Sequence, residues 1–328
     1  MNAVLIIDKP AGLTSHDVVN RVRRILQERS VGHLGTLDPL ATGVLPLVIG
    51  NLTRLAQFYT SSEKTYEGTI RFGFATDTYD SEGEPTSPPQ AVTLSLDRVR
   101  EFAMQFQGVI EQTPPPFSAK KIQGVPAYKL ARKHAEVSLK PIRVEVKEFE
   151  ILQVENDRTP AEAHVAPAAP VRGAVRSLPG SVATFRARVA SGTYMRSVAH
   201  DMGQGLGCGA HLASLRRTAV GEFELADAHT LEELAAAVKA GQAEDFFIHP
   251  RKLLPQFPSV TANEEMAARI RTGRPVNLPE LSQARMVKVF ASQTELIAIA
   301  TRVAGTLFHA KIVLAGEATA QPAGGNKN

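Results

Sequence analysis

The 328-residue sequence predicts an α+β protein: a mixed, mostly antiparallel sheet flanked by helices, then a small β-barrel module. Three observations carry this expectation. Between Thr65 and Phe74 the side chains alternate, with Tyr66, Gly68, Ile70, Phe72 and Phe74 on one face and Thr65, Glu67 and Arg71 on the other. That is the period of a half-buried strand. Two stretches instead repeat at helical spacing: Val18, Val19, Val22, Ile25 and Leu26, then Leu96, Val99, Phe102, Ala103 and Phe106. From about Ser259 a helix at Asn263–Thr272 is followed by short strands near Arg285–Ala291, Leu296–Arg302 and Leu307–Val313. One helix and several short strands in so short a stretch suggest a small barrel.

Taken in order, residues 3–8 form an apolar strand ending at Lys9-Pro10. Thr14-Ser15-His16-Asp17 then matches the [ST]-x-x-[DE] signal that opens a helix, and the helix runs to about Gln27 with arginines on its outer face. It leads to Gly32-His33-Leu34-Gly35-Thr36-Leu37-Asp38-Pro39-Leu40-Ala41-Thr42-Gly43, where three glycines give backbone freedom. Pro39 restricts Asp38 to extended conformations, so Asp38 is not helical. The run Val44–Ile49 reads as buried. The helix that starts at Leu96 closes at Gly108. Three prolines in Gln112–Lys120 dictate an extended segment, followed by a helix near 126–134 and strands around Ile142–Val154.

Asn156 to Ser181 carries 12 Ala, Pro or Gly in 26 residues and no apolar period, the composition of a flexible surface insertion. An alternating strand returns at Val182–Val189, and Val198, Met202 and Leu206 continue as a helix stripe behind Gly192-Thr193-Tyr194-Met195-Arg196. An Arg at a helix start faces the positive end of the dipole, which calls for a compensating carboxylate. A helix at Thr230–Ala240 follows, and the tail from Glu317 reads as disordered.

With 43% hydrophobic residues the chain has ample material for a core. Its single cysteine, Cys208, rules out an intramolecular disulfide and fits a reducing compartment. The N-terminus lacks a basic region before its apolar run, so it reads as a strand and not a signal peptide. No apolar stretch approaches the roughly 18 residues that span a bilayer. The expectation is a cytoplasmic protein without a membrane partner. Net charge is only +4, yet eight Lys/Arg fall between Phe117 and Lys147 against Glu136 and Glu145. Such a run is either solvated surface or a phosphate-contacting face.

The chemistry legible in the residues is a single carboxylate, Asp38, presented on a stiffened loop. No Gly-rich phosphate loop and no Cys/His metal spacing occurs, and His33 with Asp38 lacks a third ligand at matching spacing. The expected metal and the expected cofactor are therefore none. His33 either contacts a ligand or supports the loop.

The Asp38 loop resembles that of the TruB family of tRNA pseudouridine synthases, in which the Asp before Pro is catalytic. Leu34 and Ser30 stand where members usually carry Thr and often Lys. Thr76-Asp77-Thr78-Tyr79-Asp80, Pro114–Lys120, Gly192–Arg196 and Gly209–Thr218 resemble family segments too. The resemblance implies that Asp38 is the essential carboxylate, acting as nucleophile or as proton acceptor, and that Arg196 pairs with it. It places Tyr66 against the target uracil, Tyr194 in the pocket wall and Leu215 as an apolar wall, with His33 and Lys9 on the substrate side. Read alone, Tyr66 is a core aromatic and Arg196 a surface arginine, and Leu215 can be a core leucine as well.

The implied fold is the pseudouridine synthase fold over residues 1–255, then a PUA-like RNA-binding module at 256–316 and a tail at 317–328. The implied reaction is isomerisation of uridine to pseudouridine at position 55, in the TΨC loop of tRNA, by a monomer that needs the tRNA T-arm and no obligate protein partner. Extruding the base costs a few kcal/mol, and stacking on one aromatic returns about 1–3 kcal/mol. The competing reading is an RNA-binding or tRNA-folding module whose catalytic loop is incidental.

Overall fold

The computed structural model describes residues 1–118, 120–122, 124–131, 139–156 and 180–314. The interior of the expected insertion, the end of the helix near 126–134 and the expected tail lie outside these residues. The chain forms two compact units. The first comprises Met1–Asp38, Gly43–Thr60 and the described residues from Gly221 onward; the second comprises Pro39–Thr42 and Ser61–Val220.

In the first unit, Ala3–Lys9 runs antiparallel to Thr42–Ile49, with Leu5 opposite Leu47, and parallel to Ala228–His229. Val31–His33 adds antiparallel pairing to Thr42–Ile49, placing His33 opposite Leu47. Val4, Leu5, Ile6, Ile7, Leu45 and Leu47 are wholly buried, which is why these strands read as unbroken apolar runs. The helix Ser15–Leu26 begins as its sequence signal requires. The Asp17 amide donates to Thr14 Oγ1 at 3.0 Å and the Thr14 amide to Asp17 Oδ2 at 2.9 Å. Val18, Val19 and Val22 are buried, and the helix stops at Gln27 in the left-handed region.

The same unit holds a second sheet. Its order is Ser259–Thr261, Met286–Phe290, Leu296–Ala304, Leu307–Val313, Val276–Asn277, a curled half-barrel whose first pair is parallel and the rest antiparallel. The helix Glu264–Arg271, capped by Asn263, packs Ile270 against Val287, Val289, Ile297 and Phe308.

The second unit is an antiparallel run ordered Ala210–Val220, Lys64–Phe72, Ser181–Val189, Ile142–Asn156, Gly108–Gln112. The 64–72 strand buries Tyr66, Gly68, Ile70 and Phe72, the face the alternation predicts. The 181–189 strand likewise buries every second residue. Gly68 is required by close approach, since a Cβ there would lie 2.4 Å from the Ser214 carbonyl oxygen and 2.9 Å from the Phe185 ring. Helices Leu96–Ala103 and Met195–Gly205 meet at Gly205, where a Cβ would lie 2.0 Å from the Phe102 ring. Asn156 pairs with Ser181, so the insertion joins two neighbouring strands.

Candidate active site

The Asp38 loop is anchored before it is exposed. Leu34 and Leu37 are buried, the Leu34 amide donates to the Pro46 carbonyl at 2.9 Å, and residues 36–38 belong to no regular element. Gly35 sits at φ 131, a conformation L side chains rarely adopt. Asp38 itself is partly exposed. Of the two roles open to His33, loop support is present, as its Nδ1 accepts from the Gly35 amide at 3.4 Å. Lys9 is wholly buried, and its ammonium donates to the Pro10 carbonyl at 2.8 Å.

A residue that sequence reading did not single out holds this loop. The Ser15 hydroxyl accepts from the Leu37 amide at 2.8 Å and donates to the Leu37 carbonyl at 3.1 Å. Nothing in the sequence marks this beyond Ser15 lying inside the helix-opening signal.

Tyr66 and Leu215 lie on paired strands of the second unit. Leu215 is opposite Gly68 and Tyr66 opposite Arg217, so all four positions share one face. Tyr66 is 8% exposed and Arg217 1%. Burial, with Arg217 nearby, brings the Lys64 ammonium down to about 8.

Tyr194 and Arg196 open the helix Met195–Gly205. Tyr194 occupies the N-cap position, and its backbone is gripped by Gln112, a residue 1% exposed. The Tyr194 amide donates to Gln112 Oε1 at 2.8 Å and Gln112 Nε2 donates to the Tyr194 carbonyl at 3.0 Å. The Ser197 hydroxyl adds a bond to the Thr113 carbonyl at 2.7 Å. The proline-rich stretch therefore works as a brace for this helix start.

Arg196 is buried, and no acidic residue lies in the first turn of its own helix. Compensation comes from the polar turn: Asp80 Oδ2 lies 3.4 Å from Arg196 Nη1, the two side chains being 4% and 6% exposed. Arg196 also donates to the Thr78 carbonyl at 3.1 Å and the Phe117 carbonyl at 3.0 Å. Asp80, read from sequence only as part of a turn, is thus a charge partner of Arg196. Beside it, Tyr79 at φ 66 stacks on His200 at 3.7 Å, one helical turn beyond Arg196. Burial pushes the neighbouring Asp201 carboxyl up to about 6 and holds His200 below the ordinary imidazole range.

Part of the basic run is surface charge. Lys147 and Arg188 both pair with Glu63, and Arg188 also pairs with Glu148 at 2.6 Å, in a ladder across neighbouring strands. Arg132 and Lys133 lie outside the described residues. Among those residues no three His, Cys, Asp or Glu are grouped to hold a metal ion, and no helix is long and apolar enough to cross a membrane.

Solved structures define the class of fold. The chain aligns with a chain of a Cbf5–Nop10–Gar1 complex at TM-score 0.66 over 95% of its own length and 85% of that chain, at 23% identity. A similar match is made to a structure of an H/ACA RNP bound to a substrate RNA containing 2′-deoxyuridine, at TM-score 0.65.

Sequence comparison then fixes the family. Residues 23–169 match the N-terminal domain model of the TruB family pseudouridylate synthases, and residues 196–254 the tRNA pseudouridylate synthase B C-terminal domain model. The tRNA pseudouridine synthase B of Solibacter usitatus is 48% identical over 96% of this chain and all of that protein. That of Aquifex aeolicus is 37% identical over 88% of this chain and 92% of its own length. The chain belongs to the TruB family of pseudouridylate synthases, enzymes that isomerise uridine to pseudouridine.

Proposed function

We propose that this enzyme converts the uridine at position 55, in the TΨC loop of tRNA, to pseudouridine, with Asp38 as the essential carboxylate. The observation that carries the reading is the 48% identity to the Solibacter usitatus tRNA pseudouridine synthase B across the whole of that protein. The reaction cuts the N1–C1′ bond, turns the uracil, and rejoins it through C5. C5 loses a proton and N1 gains one, so the atoms balance without oxidant or reductant. Asp38 acts on the sugar or the base as nucleophile or proton acceptor.

In this reading Arg196 serves as counter-charge to the Asp38 carboxylate. Tyr66 covers one face of the extruded uracil and returns part of the cost of unstacking. Leu215 and Tyr194 supply walls, with His33 and Lys9 on the substrate side. Residues 256–316 act as a PUA-like RNA-binding module behind a catalytic region at 1–255. The T-arm is the partner recognised, by a cytoplasmic monomer.

The test is tritium release from C5-labelled uridine in an unmodified tRNA transcript, with carbodiimide labelling to place the product. Wild-type protein releases tritium from position 55 without added nucleotide, and Asp38→Ala does not. Full turnover by Asp38→Ala would overturn the assignment.

A further inference from the structure

We propose that Ser15 is a positioning residue for the reaction: by gripping both backbone groups of Leu37, it sets where the Asp38 carboxylate stands. The inference rests on the role given to Asp38 above. One hydroxyl oxygen meets the amide of Leu37 at 2.8 Å and its carbonyl at 3.1 Å. A single atom reaches both only when the two groups point to the same side, as they do in extended backbone. Leu37 is therefore held extended directly before Asp38, and Pro39 holds Asp38 extended from the other side. The soft dihedrals on either side of the carboxylate are both constrained.

The grip is anchored on a rigid element. Ser15 is the first residue of its helix, whose start is fixed by the reciprocal Thr14 and Asp17 bonds and whose buried face is Val18, Val19 and Val22. Its own exposure is 2%, so the hydroxyl has no surface to offer RNA. A group held by a packed helix locates its partner more tightly than one held by a loop. Removing the hydroxyl takes from Leu37 two hydrogen bonds in a buried setting. The loop then relaxes, and a misplacement of about 1 Å near the chemistry costs on the order of a hundredfold in rate.

The experiment compares wild type, Ser15→Ala, Ser15→Thr and Asp38→Asn in single-turnover tritium release with enzyme in saturating excess. Dissociation constants for the tRNA transcript and melting curves are measured in parallel. Ser15→Ala is expected to slow conversion by about tenfold to a hundredfold, with transcript affinity within about threefold of wild type and a cooperative melt. Ser15→Thr, which keeps the hydroxyl, recovers most of the rate. Wild-type rate in Ser15→Ala, equal losses of rate and affinity, or no recovery in Ser15→Thr would each overturn the proposal. If Ser15→Ala melts without cooperativity, Ser15→Cys, which keeps the volume with a weaker donor, is judged by the same outcomes. Activity in Asp38→Asn would instead sink the reading of Asp38, which separates the two failures.

Discussion

Replacing Asp80 by Asn removes one charge from a buried pair and little else. Asp80 Oδ2 and Arg196 Nη1 are 3.4 Å apart, with both side chains almost fully covered. At an effective dielectric constant near 20 the gross attraction at that distance is about 5 kcal/mol. Breaking such a pair from one side costs about 3–5 kcal/mol, because the remaining charge stays buried. Asn preserves an acceptor for the other two bonds of this carboxylate, from Thr78 Oγ1 at 2.6 Å and the Glu82 amide at 3.1 Å. Arg196 also keeps the carbonyls of Thr78 and Phe117. The expected loss is therefore at the low end, about 3 kcal/mol. Urea unfolding followed by circular dichroism reads it as a lower midpoint at constant slope. A double-mutant cycle with Arg196→Met then shows a coupling of about 2 kcal/mol or more. A loss under about 1 kcal/mol, the worth of a screened surface pair, would refute the reasoning.

Two further outcomes follow from the same neighbourhood. The Asp201 carboxyl is raised by burial from 3.8 to about 6, so the folded state holds its proton more tightly than the unfolded chain. That contribution is fully present below about pH 4 and is lost as pH rises to about 6. Asp201→Asn should therefore match wild type at pH 4 and exceed it at pH 7.5, by about 1–2 kcal/mol after discounting for partial exposure; equal shifts at both pH values would count against it. Gln112→Leu deprives the Tyr194 amide and carbonyl of their buried partners and should cost about 2–4 kcal/mol in denaturant unfolding, whereas a change within about 0.5 kcal/mol would mean that the brace is redundant.

The parts of this molecule legible in sequence are those whose cause is local. The Thr14–Asp17 capping box spans three residues, the 64–72 strand declares its buried face by alternation, and Pro39 fixes the class of conformation open to Asp38. What stayed hidden is what pairs at long range. Ser15 reaches Leu37 across 22 positions, Gln112 reaches Tyr194 across 82, and Arg196 meets Phe117 across 79. Lys147 counted toward a basic run because its partner Glu63 lies 84 positions away, just before the 64–72 strand.

These hidden contacts share a physical reason. Within a sheet, each amide is satisfied by the neighbouring strand, so the element supports itself and its pattern shows in the residues that form it. A loop or a helix start has no such ladder, and its backbone groups must be met from elsewhere. Ser15 and Gln112 do this with small polar groups, each satisfied on both its donor and its acceptor side and each nearly without exposed surface. A buried Ser or Gln is uncommon unless such partners exist. In this chain, then, buried polar side chains fix the backbone at Leu37 and Tyr194, where no strand or helix ladder can.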